Sequence, residues 1–260
     1  MSALSFSLPI GLPVFGAAAG AASTLTGVTQ ADIKLGAFRI TANTTATNLI
    51  QPDAVLTSFT IAGNSVFCSN GASFPLAATA FNSQSKDELL DVTLAAGTSV
   101  QVQVVGGAAV AGHDVGASIQ VDPIQDADLA PGQAPGDTAL EDLALLFPLG
   151  AIAIGGVAGV TVQLQALCNR TCKLGKLFLI SDAANYVTVT SVLVGGVEQL
   201  AQSTTVGIPL AHFAPTSTMQ AEWMDLQTVI TPGETVSISL LQQSAVAGNV
   251  FGGIYCMPLD

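Results

Sequence analysis

Apolar and polar residues alternate in short runs along this chain, and the runs recur. Val100-Gln101-Val102-Gln103-Val104 puts valines on one face and glutamines on the other, the pattern of a half-buried strand. Val187-Thr188-Val189-Thr190 and Val236-Ser237-Ile238-Ser239 alternate in the same way. Strands are predicted at 24–29, 32–41, 54–62, 64–68, 89–95, 98–105 and 115–122, then at 157–166, 173–181, 186–194, 197–201, 225–231, 234–242 and 250–257. Asn, Gly, Ser and Asp gather between the runs, as turns require. No stretch carries the pattern of a long helix. A short helix is expected within 77–88, and the capping box of Thr138 and Glu141 predicts another through Phe147. Residues 1–23 have little periodicity and read as an extended arm.

The runs repeat as a set. Ile61-Ala62-Gly63 matches Val194-Gly195-Gly196, 133 residues on, and Pro75-Leu76-Ala77 matches Pro209-Leu210-Ala211, 134 residues on. Lys34-Leu35-Gly36 matches Lys173-Leu174-Gly175, and Leu90-Asp91 matches Met224-Asp225. Gly97-Thr98-Ser99-Val100 matches Gly233-Glu234-Thr235-Val236, and Ile119–Pro123 matches Ile254–Pro258. Leu12-Pro13 and Phe147-Pro148 each open a Gly/Ala-rich run. Offsets stay between 133 and 139, a drift that loop insertions allow. This divides the chain into 1–124, an arm and first unit; 125–142, an acidic connector with two Pro-Gly breaks; and 143–260, the second unit. Each unit has seven or eight short strands and enough chain for its own core. The fold class expected is all-β: two tandem eight-stranded antiparallel sandwiches arising from internal duplication.

Two apolar stretches need a decision. Leu143 to Leu167 is uncharged and long enough to raise a membrane span, but Pro148, its glycines and the alternating Val160–Gln165 favour strand. The N-terminal run has the small residues of a signal peptide but no basic n-region, its first cation being Lys34. Both are read as extended segments of the units.

Charge changes the picture further. Charged residues make up 9% of the chain, and the net charge of −12 arises from 18 acids against only 6 bases. That shortage of Lys and Arg argues against direct nucleic-acid binding. A compact monomer of this size exposes roughly 10,500 Å², or about one charge per 440 Å². A surface so poor in charge favours association, since little charge must be desolvated to cover it.

Candidate chemistry is sparse. Cys168 and Cys172 form a C-x3-C pair that would be half a zinc site or a disulfide, yet no second pair or nearby His supplies further ligands. Buried thiols are expected there, and Cys68 and Cys256 lie on apolar strand patterns that read as core. His113 and His212 are too few for a bicupin-type metal site. Asp87, Glu88 and Asp91, or Glu222 and Asp225, would offer a glycosidase carboxylate pair, but acids beside a strand start are ordinarily solvated. Trp223 reads as a core or interface residue. No residue is assigned as catalytic, cofactor-binding or metal-binding, no cofactor is expected, and the chain is not read as an enzyme.

Two fused sandwiches, few charges and an apolar arm resemble the double jelly-roll major capsid proteins of tailless icosahedral viruses, bacterial ones in particular. The run Val189 to Leu200, a Ser/Thr loop, and Ile208-Pro209-Leu210-Ala211-His212-Phe213 are similar in style to phage proteins of that group. The resemblance implies jelly rolls, a homotrimer with pseudo-sixfold outline, and capsomers tiling a shell, often over an internal membrane. Its implied partners are other copies of the chain and further capsid proteins such as vertex proteins; its implied location is the virion, after synthesis in the host cytoplasm. Five of the six cations (Lys34, Arg39, Arg170, Lys173 and Lys176) fall near the equivalent strand of each unit, where they would pair with acids of a neighbouring copy. The alternatives are a minor capsid or spike protein, and a tandem β-sandwich adhesion or carbohydrate-binding module. The module predicts disulfides and an aromatic binding face, against which the 5% aromatic content weighs.

Overall fold

The computed structural model describes residues 6–10, 20, 22–43, 54–79, 92–106, 114–124, 132, 134, 145–181, 186–200, 207–214 and 225–257. Among them, regular structure is strand apart from short 3-10 turns. The first strands are β1 (Phe6–Ile10), β2 (Ala22–Val28), β3 (Ile33–Asn43), β4 (Val55–Ile61), β5 (Asn64–Ser65), β6 (Phe74–Pro75), β7 (Val92–Leu94), β8 (Ser99–Val105) and β9 (Asp114–Pro123). The others are β10 (Leu146–Gly155), β11 (Thr161–Leu167), β12 (Cys172–Ser181), β13 (Val187–Val194), β14 (Val197–Glu198), β15 (Ile208–Pro209), β16 (Asp225–Ile230), β17 (Thr235–Gln242) and β18 (Ala247–Met257).

These strands form four sheets. Two have the orders β1-β9-β3-β7 and β2-β8-β4-β5, with β6 also on β4. The other two have the orders β10-β18-β12-β16 and β11-β17-β13-β14, with β15 also on β13. Adding nine to each label of the first pair gives the second. In both sets the pairing is nested: first strand with last, second with next to last, third with β7 or β16, fourth with its hairpin partner. The chain divides into two compact, sandwich-like units. The first takes Met1–Gln51, Leu56–Val66 and Thr79–Leu143; the second takes Pro52–Val55, Phe67–Ala78 and Ala144–Asp260. Residues 67–78 therefore pack with the second unit, although the sequence repeat assigns them to the first.

Alternation explains which faces are buried. On β8, Val100, Val102 and Val104 are buried while Gln101 faces out. With Leu25, Leu35, Leu56, Phe59, Ile61, Val92 and Leu94 they fill the core of the first unit, drawing on both of its sheets. On β13 the buried set changes phase, from Val187 and Val189 to Val192 and Val194. A register shift between Val189 and Ser191 supplies the extra residue that this needs. The core of the second unit gathers Phe147, Leu149, Leu164, Leu174, Leu177, Leu179, Leu210, Phe213, Ile230, Ile238 and Ile254.

The repeated motifs have structural counterparts. After Lys34-Leu35-Gly36 the register of β3 on β9 shifts between Leu35 and Phe38, and after Lys173-Leu174-Gly175 that of β12 on β18 shifts between Leu174 and Leu177. Each Lys-Leu-Gly thus marks a bulge. Ala62-Gly63 and Gly195-Gly196 turn their hairpins with φ positive at both residues, as a type I′ turn demands. The Ala62 amide donates to the Ser99 carbonyl at 2.8 Å, and the Gly195 amide to the Thr235 carbonyl at 2.9 Å.

Several expectations are corrected. Phe6–Ile10, read as part of an extended arm with no strand assigned, is a strand paired along β9. Its register sets Leu8 and Pro9 across from Ile119 and Ser118, whereas Phe147 and Pro148 stand across from Ile254 and Gly253. The counterpart of Phe147-Pro148 is therefore Leu8-Pro9, not Leu12-Pro13. The helix expected through Phe147 is absent at its end, where β10 begins. A capping box stabilises a helix by only about 1 kcal/mol, and residues 145–150 are all buried. Pro148 is tolerated in this strand because the register shifts between Pro148 and Gly150. The strand expected at 157–166 begins at Thr161, after a turn through Gly159. Of Leu143–Leu167, the described part is two strands, and no helix among the described residues is long and apolar enough to cross a membrane. The connector apart from Gly132 and Ala134, Trp223, His113, Lys86 and the acids Asp87, Glu88, Asp91 and Glu222 lie outside the described residues, as does all but the start of the 77–88 helix. At that start, Leu76–Thr79 forms a 3-10 turn.

Candidate functional site

All four cysteines lie in the second unit, and all four are buried. Cys172 opens β12 and Cys256 lies near the end of β18; the register sets Lys173 across from Met257 and Leu174 across from Cys256. Cys168 follows β11, its amide donating to the Glu234 carbonyl at 2.8 Å and its carbonyl accepting from Gly233 at 3.0 Å. Cys68 arrives on the separate segment 67–78.

That segment is held by backbone bonds. The Cys68 amide donates to the Leu146 carbonyl at 3.0 Å, the Asn169 amide to the Cys68 carbonyl at 3.0 Å, and the Asn70 amide to the Leu167 carbonyl at 3.0 Å. Asn70 Oδ1 accepts in return from the Leu167 amide at 2.7 Å, and Ser69 Oγ donates to the Pro148 carbonyl. The approach is so close that a Cβ at Gly71 would collide with the Pro148 carbonyl. Phe74 packs edge-on against Tyr255 with ring centroids 5.5 Å apart, over Gly253, whose missing side chain makes the room.

The result is a knot of sulfur. The Sγ atoms of Cys68, Cys172 and Cys256 all lie within 4.8 Å of one another, with Cys68 and Cys256 at 3.0 Å. The Cys168 thiol donates to the Arg170 carbonyl at 2.8 Å. Burial raises the pKa of the Cys68 and Cys256 thiols and pushes Cys168 up to about 11. Cys172 goes the other way, to about 4, because the Cys256 and Cys68 thiols donate to its sulfur. The cluster thus favours one thiolate held by neighbouring thiols.

Sequence reasoning found the C-x3-C pair and placed Cys68 and Cys256 in the core, where they are. It did not bring the two sets together. The other candidates are not assembled into chemistry among the described residues. Asp225 starts β16, stands across from Lys176, and accepts through Oδ2 from Gln227 on its own strand. His212 sits half-buried in the 3-10 turn Leu210–Phe213. Lys34, Arg170, Lys173 and Lys176 each already have an interaction within the chain.

Two other carboxylates have structural work. Glu198 Oε1 accepts from the Val192 and Leu200 amides at 2.9 and 3.1 Å, and Oε2 accepts from Ser191 Oγ. Burial pushes its pKa up, but these hydrogen bonds outweigh that and hold it below the usual 4.5. Glu234 Oε2 accepts from the Thr231 amide and hydroxyl at 2.7 and 2.9 Å, which also holds it low.

No family model and no curated protein matches the chain. Among solved structures it is similar to the major capsid protein P2 from bacteriophage PM2, over 99% of each chain, at 9% identity and a TM-score of 0.45.

Proposed function

We propose that this chain is a structural virion protein, a double jelly-roll major capsid protein whose two units arose by duplication, with 1–124 and 143–260 as the repeated parts and 125–142 joining them. The observation that carries the reading is the strand order. A jelly roll is a long hairpin rolled up on itself, so its first strand meets its last, its second the next to last, and so on inward. Both units have that nested order, and equivalent hydrogen bonds recur at the repeat spacing, as with Thr29 amide to Thr98 carbonyl and Cys168 amide to Glu234 carbonyl.

A chain with two such units gives a trimer six similar edges, so nearly equivalent contacts tile a closed surface. The low charge content suits surfaces that are covered on assembly. One end of the second unit adds an apolar patch: Val157, Val160, Tyr186 and Val246 are 57%, 42%, 46% and 44% exposed. It is gathered about Gln242 and Gln243, which bond to the backbone of Val160, Tyr186 and Val246. The partners are then other copies of the chain and the vertex proteins of the shell, and the site of action is the virion. No catalytic residue and no cofactor has a part in this role.

Negative-stain electron microscopy of the purified protein tests it. Trimers with a hexagonal outline, or sheets and shells built from them, are expected. A field of separate 26.1 kDa particles at all concentrations contradicts it, and glycan-array binding by such particles would favour the adhesion module.

A further inference from the structure

We propose that Cys68, Cys168, Cys172 and Cys256 form a structural zinc site in the second unit, one tetrahedral ion held by four thiolates. Four observations carry this. First, the chain has only 4 cysteines, and all of them collect in one place from separate segments. Second, three sulfurs are mutually within 4.8 Å. Two thiolates on one zinc stand about 3.8 Å apart, given Zn–S bonds of about 2.3 Å and tetrahedral angles. The Cys68–Cys256 pair at 3.0 Å opens by less than about 1 Å on loading. Third, Cys168 stands beside the Cys68 segment, since Ser69 pairs with Cys168 in an antiparallel bridge and the Asn169 amide donates to the Cys68 carbonyl at 3.0 Å. A rotation about its Cα–Cβ bond would exchange the Arg170 carbonyl for the ion. Fourth, a disulfide joins two sulfurs only, and three in mutual reach are more than it uses. A tetrahedral all-sulfur set takes zinc or iron, and metal analysis tells the two apart.

The physical setting agrees. Four thiolates around a divalent ion leave a net charge of −2, and Arg170 and Lys173 flank the ligands in sequence. Binding sends thiol protons to solvent, so uptake strengthens as pH rises. The site's work is to fasten segment 67–78 to β12, β18 and the turn at Cys168, closing long loops that backbone bonds alone close weakly. The inference does not depend on the capsid role.

The test is metal analysis of protein purified without chelator, together with zinc titration of protein stripped by a chelator under reducing conditions. One zinc per chain is expected, with all thiols protected from modification until the ion is removed. Cobalt(II) in its place should give the charge-transfer and ligand-field bands of a tetrahedral thiolate site. Zinc removal should speed amide exchange at 67–73, 168–172 and 254–256. Cys68→Ser should weaken zinc binding by more than about 100-fold, beyond the loss from changing a ligand's neighbour. Cys168→Ser should weaken it by less, since the three sulfurs already in mutual reach remain. These variants are read alongside the wild-type metal content, which needs no variant to fold. Protein that takes up neither ion, with four reactive thiols, overturns the proposal. So does an intact mass lighter by two hydrogens with Cys68 and Cys256 in one disulfide-linked peptide.

Discussion

Thr29 and Cys168 occupy the same place in the two units. Each donates its amide to the start of the next-to-last long strand, at Thr98 or Glu234, and each carbonyl accepts from the glycine before it, Gly97 or Gly233. Their side chains part company. Thr29 Oγ1 donates to the Ala95 carbonyl at 2.8 Å and accepts from the Thr98 amide at 2.9 Å, which closes the turn on itself. Cys168 donates its thiol to the Arg170 carbonyl at 2.8 Å, on the way to Cys172. By register, Ile33 stands where the second unit has Cys172, and Val121 where it has Cys256. Backbone pairing therefore fixes the frame, while side chains at the same points decide whether a unit is self-contained or anchors a segment from elsewhere in the chain.

Equivalent core positions give the sharpest way to break that comparison. Phe59 and Val192 are both fully buried at matching places on β4 and β13. Phe59→Ala should cost about 3–5 kcal/mol and Val192→Ala about 2, measured by denaturant unfolding with amide exchange to assign each loss to its unit. Equal losses would mean that the cores are not equivalent there. Gly71→Ala comes next. Its Cβ collides with backbone, so segment 67–78 must shift, at about 3 kcal/mol or more. Amide exchange should rise at 67–73 and Leu167–Asn169 while β2, β4 and β8 stay protected.

Acid separates the units by a smaller amount. Glu198 and Glu234 have folded pKa values below 4.5, and their counterparts in the first unit are Ser65 and Thr98. A depressed carboxylate stabilises fully above its unfolded pKa and ceases to as pH falls through the folded one. The second unit should therefore lose protection below the ordinary carboxylate range. Glu198→Gln, by about 1 kcal/mol at neutral pH, should remove part of that dependence, as pH-resolved amide exchange would reveal. The smallest effect is a matched pair. Gly97 and Gly233 have φ of 84° and 92°, and no atom lies within 4 Å of where a Cβ would stand. Alanine at either should cost the same, about 1 kcal/mol, from backbone strain alone; a thermal shift differing between them would show that the turns are not alike.

Much of the frame was legible in the sequence because strand signals are local. Alternation at Val100–Val104 and the paired Lys-Leu-Gly motifs predicted strands that are there, and the glycine pairs predicted the hairpins. β1 was read only as part of an extended arm because Phe6–Ile10 is short and carries Pro9, which counts against a strand. β10 was read as extended but given no strand bounds, because the capping box ahead of it is a local helix signal that burial of Leu145–Gly150 overrides. The cysteine cluster was not legible because convergence is a matter of topology. One signal could have found half of it. Cys172 directly precedes Lys173-Leu174-Gly175, and Cys256 lies inside the Ile254–Pro258 match. Nested pairing makes those two strands neighbours, which would have set these sulfurs side by side. Nothing in the repeat could have placed Cys68 with them, since its segment leaves the unit that its motif assigns it to.

The most direct test of the capsid reading is the molar mass of the purified chain by light scattering across a concentration series. A species of three chains, or closed particles of far larger mass, is the predicted result. A single 26.1 kDa species at every concentration would contradict it.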